Sequence, residues 1–138
     1  MSQVRIPPGA PGNNRIKEID PSVLAHGQQL AASDPAGIVA IYSTTNETCM
    51  YASPSHKSLL GYTPEEMIGK KWTEVVAPED HAHANLAGSD AFLNGKSIEF
   101  GIRAVTRNGQ RVPLRGTARV LGNPSTGAGY LLFHASAV

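Results

Sequence analysis

The chain reads as an α+β fold: a five-stranded antiparallel sheet with a helical middle on one face and an amphipathic helix at the N-terminus. Three observations carry this expectation. Residues 37–42 and 48–52 read as short strands joined by turn chemistry at Thr44-Thr45-Asn46-Glu47. Residues 97–107 and 110–121 alternate apolar and polar positions on either side of Asn108-Gly109. After the N-terminal helix, helix starts and breaks are confined to the stretch between these pairs, and a last apolar strand follows at 129–136. Strands at both ends with helices segregated between them are the α+β arrangement.

The bulk properties fit one small domain. The chain has 138 residues, 41% of them apolar. Lys plus Arg number 12 against 11 Asp plus Glu, a net charge of +1. That balance gives no electrostatic case for nucleic acid or for an anionic membrane. A single cysteine, Cys49, excludes an internal disulfide and a multi-cysteine metal site. No apolar run approaches the roughly 18 residues that span a bilayer. The N-terminus MSQVRIPPGAPG lacks the apolar core of a signal peptide. The expected location is cytoplasmic.

Taken in order, residues 1–19 hold Pro7, Pro8, Gly9, Pro11, Gly12, Asn13 and Asn14 and read as a flexible arm. Residues 20–33 read as the N-terminal helix, with Asp20 as cap and Pro21 at the first helical position. Val23, Leu24, Gly27, Leu30 and Ala31 share one face of it. We expect Val23, Leu24, Leu30 and Ala31 to form a homodimer interface; the competing outcome is that they cover the domain's own sheet. Residues 34–138 form the main domain. After its first two strands comes a short polar helix over Ser53–Leu60, then Gly61-Tyr62 and a fresh helix start at Thr63-Pro64-Glu65-Glu66. Gly69 breaks the segment, and Pro78-Glu79-Asp80 opens another helix. Ala82, Leu86, Ser89 and Leu93 mark one face of that helix, which Asn94-Gly95 ends. Ile98, Phe100, Ile102 and Ala104 then alternate with Glu99, Gly101, Arg103 and Val105. Asn108-Gly109 predicts a hairpin turn with positive φ at both central residues. Arg111, Arg115 and Arg119 give the next strand one wet face, and Gly122–Gly129 is a second turn.

These landmarks resemble the PAS sensory domain, of the S-box type found in bacterial signal-transduction proteins. The resemblance covers about residues 30–136. It rests on DPAGIVAIY, CMYASPSHKSLLGYTPEEMIGK, APED and RNGQRVPLRGTARV in that order, with the Gly-Tyr-Thr-Pro-Glu-Glu-Met-Ile-Gly run the most specific. The family often has Asn where Ser53 stands. Its last strand often runs into an Asp-Ile-Thr stretch that leads to an output domain; here His134-Ala-Ser-Ala-Val138 follows instead. The resemblance implies a signal sensor or interaction module that is not an enzyme, in a two-component or transcription-regulatory system. It also implies an output partner such as a histidine kinase, cyclase or transcription regulator outside this chain. PAS cavities lie between the inner sheet face and the helical middle, and Ile41, Met50, Met67, Trp72, Asn85, Leu86, Phe100, Leu114 and Phe133 are the pocket candidates. The alternative is a dimerisation module whose core Met50, Met67, Trp72, Phe92, Phe100, Leu114 and Phe133 fill outright.

No cofactor is favoured. Flavin-photoadduct relatives carry a Gly-x-Asn-Cys-Arg-Phe-Leu-Gln run that this chain lacks, and Cys49 reads as a small buried strand residue. Haem-binding relatives place an axial His on the helix that begins here near Pro78, which makes His81 and His83 weak candidates. Both sit in the first turns, and the family's axial position falls nearer Asn85. Trp72 and Asn85 are candidates for non-covalent flavin. An organic acid would need Arg103 or Arg115 turned inward, but alternation puts both on the polar face, with Glu99 as the expected partner. Ser55-His56 supports no catalytic triad, and the chain has no phosphate loop, HExxH or paired-carboxylate motif.

Overall fold

A computed structural model describes residues 19–95, 97–123 and 128–138. Residues 1–18 of the expected arm and residues 124–127 of the second turn lie outside the described residues. Ile19, the last residue of that expected arm, is buried at 4% exposure among Val23, Val39 and Ile41.

Helix α1 runs Pro21–Ser33; the Asp20 carboxylate caps it by accepting from the Ser22 N–H at 2.8 Å. Strands β1 (Ile38–Ser43) and β2 (Cys49–Ala52) follow. Next come α2 (His56–Leu60), α3 (Pro64–Met67), two 3-10 turns (Trp72–Glu74 and Pro78–Asp80) and α4 (His81–Asn94). Strands β3 (Ile98–Val105), β4 (Arg111–Asn123) and β5 (Ala128–Ala137) complete the chain. The sheet is antiparallel in the order β2-β1-β5-β4-β3. All five expected strands are present, with ends shifted by two residues at most.

Local chemistry sets the breaks. Gly61 ends α2 at φ 85, where a side chain would strain the left-handed backbone. Thr63 and Glu66 form a reciprocal capping box that restarts the chain as α3. The β3–β4 turn differs from expectation. Gly109 alone has positive φ, at 85, and its N–H donates to the Thr106 carbonyl. Asn108 therefore sits at an ordinary φ, and the loop closes as a type I turn followed by glycine.

The two sheet faces carry separate layers. On the outer face α1 covers Val39, Ile41, Met50, Tyr130 and Leu132. Val23 of α1 is buried there, and Leu24, Leu30 and Ala31 pack half-buried against the same cluster. The apolar stripe expected to face a second copy is thus spent on the chain's own sheet. On the inner face the helical middle covers Ile38, Ala40 and Tyr42, the alternate residues of β1.

Helix α4 turns a different side inward than its large residues suggested. Ala84, Ala87, Gly88 and Ala91 face the sheet, while Leu86 is 72% and Leu93 79% exposed. The short residues let the helix lie close: a Cβ on Gly88 would stand 3.8 Å from the Leu131 methyl. The connector before α4 covers both sheet edges. The Cys49 N–H donates to the Lys70 carbonyl at one edge, and the Ala77 N–H donates to the Arg103 carbonyl at the other. Arg103 also pairs with Asp80 (Nη2 to Oδ1, 2.7 Å) rather than with the expected Glu99, because β3 lies beside the Pro78–Asp80 turn. That hydrogen bond holds the Asp80 carboxyl at about 2, below the usual range.

Candidate functional site

A cavity of about 370 Å³ lies between the inner sheet face and α4. Its sheet wall is built by alternation: Ile38, Ala40 and Tyr42 from β1, Leu131, Phe133 and Ala135 from β5, and Phe100, Ile102 and Ala104 from β3. Leu114 and Val120 of β4 complete it. Leu60, Met67, Trp72, Val75 and Val76 close one side, and Ala84, Ala87 and Gly88 of α4 form the opposite wall. Phe133 meets the Tyr42 ring at 5.5 Å and the Phe100 ring at 5.3 Å, both edge to face, so rings from β1, β5 and β3 brace each other. Exposed lining residues, Glu47 of the β1–β2 turn with Asn85 and Ser89 of α4, mark where the cavity meets solvent.

Of the nine pocket candidates, Met67, Trp72, Asn85, Phe100, Leu114 and Phe133 line this cavity. Ile41, Met50 and Leu86 do not. Ile41 and Met50 are one residue out of phase with Tyr42 and Cys49, so they point to the outer face under α1. Leu86 is on the solvent side of α4. Phe92, expected among the filling residues, stays 49% exposed at the rim.

The haem candidates do not fit the cavity. His81 donates from Nε2 to the Val76 carbonyl at 2.8 Å and packs edge-on against Trp72. His83 is exposed, and neither ring lines the space. Neither can present a free imidazole nitrogen to an iron inside it. Arg103 and Arg115 are exposed and outside the lining, so neither guanidinium faces an acid there. Burial pushes the Cys49 thiol up to about 12, which makes it a poor nucleophile. Among the described residues no cluster of three His, Cys, Asp or Glu side chains could hold a metal.

One lining residue escaped the sequence analysis. His56 is 1% exposed at the start of α2. Its Nδ1–H donates to the Ser53 carbonyl at 2.9 Å. Ser53 in turn accepts the Val39 N–H through its hydroxyl, and its own N–H donates to the Val39 carbonyl. Ser53 therefore ties the helix to β1 instead of capping it. Burial lowers the His56 pKa, opposed by the Ser53 hydrogen bond, and favours the neutral ring. The available signal was spacing: His56 and Leu60 are four apart and share the buried face of α2.

The chain was compared with known proteins. The model of the PAS fold family matches residues 49–131. A PAS domain from Colwellia psychrerythraea superposes with a TM-score of 0.69 at 14% identity, over 83% of this chain and 97% of that one. A sensory box histidine kinase/response regulator from Burkholderia thailandensis gives 0.61 at 23% identity, over 80% and 83%. The PAS-B domain of Drosophila melanogaster Cycle with bound ethylene glycol gives 0.66 at 16%, over 73% and 99%. No curated protein matches the chain. The matched family model spans β2, the helical middle, β3, β4 and the start of β5, and on that match the chain belongs to the PAS family.

Proposed function

We propose that this chain is a non-catalytic sensor module whose cavity takes a small molecule and reports occupancy through α4. The observation that carries the reading is the hollow itself. Protein interiors pack to a density of roughly 0.74 with few voids larger than a water. A space of about 370 Å³ falls at the lower end of ligand pockets, which run to about 1,000 Å³. An occupant would gain contacts with Ala84, Ala87 and Gly88, and so favour one seating of α4 over another. Leu86 on the far side of that helix is 72% exposed and Leu93 at the cavity rim 79%, which supports a partner that reads its position. An output domain of the kinase or cyclase kind fits that role. The Burkholderia thailandensis histidine kinase and a Marinobacter aquaeolei diguanylate cyclase with a PAS/PAC sensor are both structural neighbours. A second copy of the chain is the other partner we propose for this surface. Among the described residues no helix is long and apolar enough to cross a membrane, and we place the module in the cytoplasm.

The test uses naphthalene as an apolar probe and hydrogen exchange as the readout. Binding should slow exchange along α4, and Ala87→Leu, which extends a side chain into the cavity, should abolish both binding and slowing. Naphthalene bound equally by wild type and variant, or bound with no change in α4, defeats the proposal.

A further inference from the structure

Two polar atoms at the cavity wall are buried without a partner among the described residues. The Nδ1–H of His56 is committed to the Ser53 carbonyl, and a carbonyl only accepts, so the neutral ring carries its lone pair on Nε2. Nε2 has no partner among the described residues, and the side chain is 1% exposed. The Tyr42 hydroxyl is in the same position: the residue is 4% exposed, lines the cavity, and its oxygen bonds to nothing among the described residues. Folded proteins rarely leave such groups unpaired, because both were fully hydrogen-bonded to water before burial.

We propose that the ligand is a neutral, mostly apolar molecule that donates an O–H or N–H to His56 Nε2, with the Tyr42 hydroxyl as a second polar anchor. This rests on the sensor reading above and adds the chemistry of the ligand. Charge supports neutrality: among the described residues no Lys or Arg lines the cavity, and the one lining carboxylate, Glu47, is exposed at the rim. An anion would enter without a counter-charge. Size is bounded too. At interior packing density, 370 Å³ holds on the order of 15 non-hydrogen atoms. The rings of Tyr42, Phe100, Phe133 and Trp72 favour a planar aromatic body. The anchors are separated along β1. Ser53, bonded to Val39, holds His56 near one end, while Tyr42 lies three residues on, about 10 Å at the rise of an extended strand. A molecule polar at both ends of a flat apolar body matches that spacing.

Calorimetry on the full chain with four probes of one shape tests this: naphthalene, 2-naphthol, 2,6-dihydroxynaphthalene and 2-naphthoate. We expect 2-naphthol to bind at least tenfold tighter than naphthalene, the diol tighter again, and 2-naphthoate not to bind. His56→Asn keeps a donor for the Ser53 carbonyl and removes the Nε2 acceptor. It should erase the advantage of 2-naphthol over naphthalene, so that the two probes bind this variant equally. Tyr42→Phe should erase only the extra gain of the diol. Naphthalene binding by each variant verifies that its cavity is folded; should His56→Asn not fold, the wild-type series and Tyr42→Phe decide. If naphthalene and 2-naphthol bind wild type equally while Ala87→Leu blocks both, the ligand chemistry is wrong and the sensor reading stands. If naphthalene does not bind, or binds Ala87→Leu equally well, both fall.

Discussion

Leu131 and Leu132 are neighbours on β5 and meet opposite worlds. Leu132 is 2% exposed, packed with Val39, Ile41 and Met50 beneath α1. Leu131 lines the cavity, where a Cβ on Gly88 would meet its methyl at 3.8 Å. The strands supply branched and aromatic side chains to both faces. What differs is the helix laid over each. α1 brings Val23, Leu24 and Leu30 and closes its face. α4 brings alanine and glycine and leaves its face hollow. The hollow is set by the covering helix, not by the sheet.

Truncating the two leucines is the most direct way to break this contrast. Leu132→Ala should cost about 3–5 kcal/mol, because the removed volume becomes a new cavity in a filled layer. Leu131→Ala should cost about 2 kcal/mol, the low end for such truncations, because the side chain is only half-buried. Urea denaturation of both variants measures the gap, and equal losses would erase the distinction between the faces.

The mid-helix glycines sharpen the contrast with opposite signs. A Cβ on Gly27 of α1 would stand 2.7 Å from the Ile41 terminal methyl, in a layer where Ile41 is fully buried. Gly27→Ala should therefore destabilise by about 1 kcal/mol despite the gain in helix propensity. Gly88→Ala makes an ordinary contact and should stabilise by about 1 kcal/mol. Melting temperatures moving in the same direction for both would contradict the packing described for the two helices.

The smallest effect separates the faces by pH. The inner face holds the buried His56, whose pKa burial depresses below the usual 6.5. The unfolded chain takes up a proton near 6.5, and the folded chain resists it until lower pH. The stability associated with the neutral ring is therefore present above 6.5 and lost as pH falls from there through the folded value. The urea midpoint should decline below pH 6.5 in wild type and decline less in His56→Asn. An identical decline in the variant would assign the titration elsewhere.

The comparison also explains which parts of the molecule were legible in the residues. The long strands β3 and β4 alternate, and their turn residues mark the hairpin, so their existence and approximate ends could be read directly. The phase of β1 could not. Every residue from Ile38 to Tyr42 is buried, because helices cover both faces, and alternation between wet and dry positions disappears. Ile41 was assigned to the wrong side for that reason, and Met50 on the paired strand with it. The stripe on α1 was legible as a stripe, but its target was not: Val23 and Leu30 suit a second copy or the chain's own sheet equally well. For α4 both faces are apolar, one through leucine and one through alanine, and the larger residues misled. His56 stood outside every motif for catalysis or metal binding, so only its spacing to Leu60 could have marked it.

The connector that covers both sheet edges also limits how the domain can change shape. It bridges to Thr48, just before β2, at Lys71 and to β3 at Val76–Ala104. Five residue steps separate Lys71 from Val76, which fully extended reach about 17 Å, and the 3-10 turn Trp72–Glu74 shortens them further. A flat sheet of five strands would hold its edges about 19 Å apart. The connector is thus a bowstring shorter than its bow, and the sheet must stay bent around the cavity. A guest cannot make room by flattening the strands. The slack is in α4, held at its start by the Arg103–Asp80 clamp and exposed on its far side, so it is the wall left to yield.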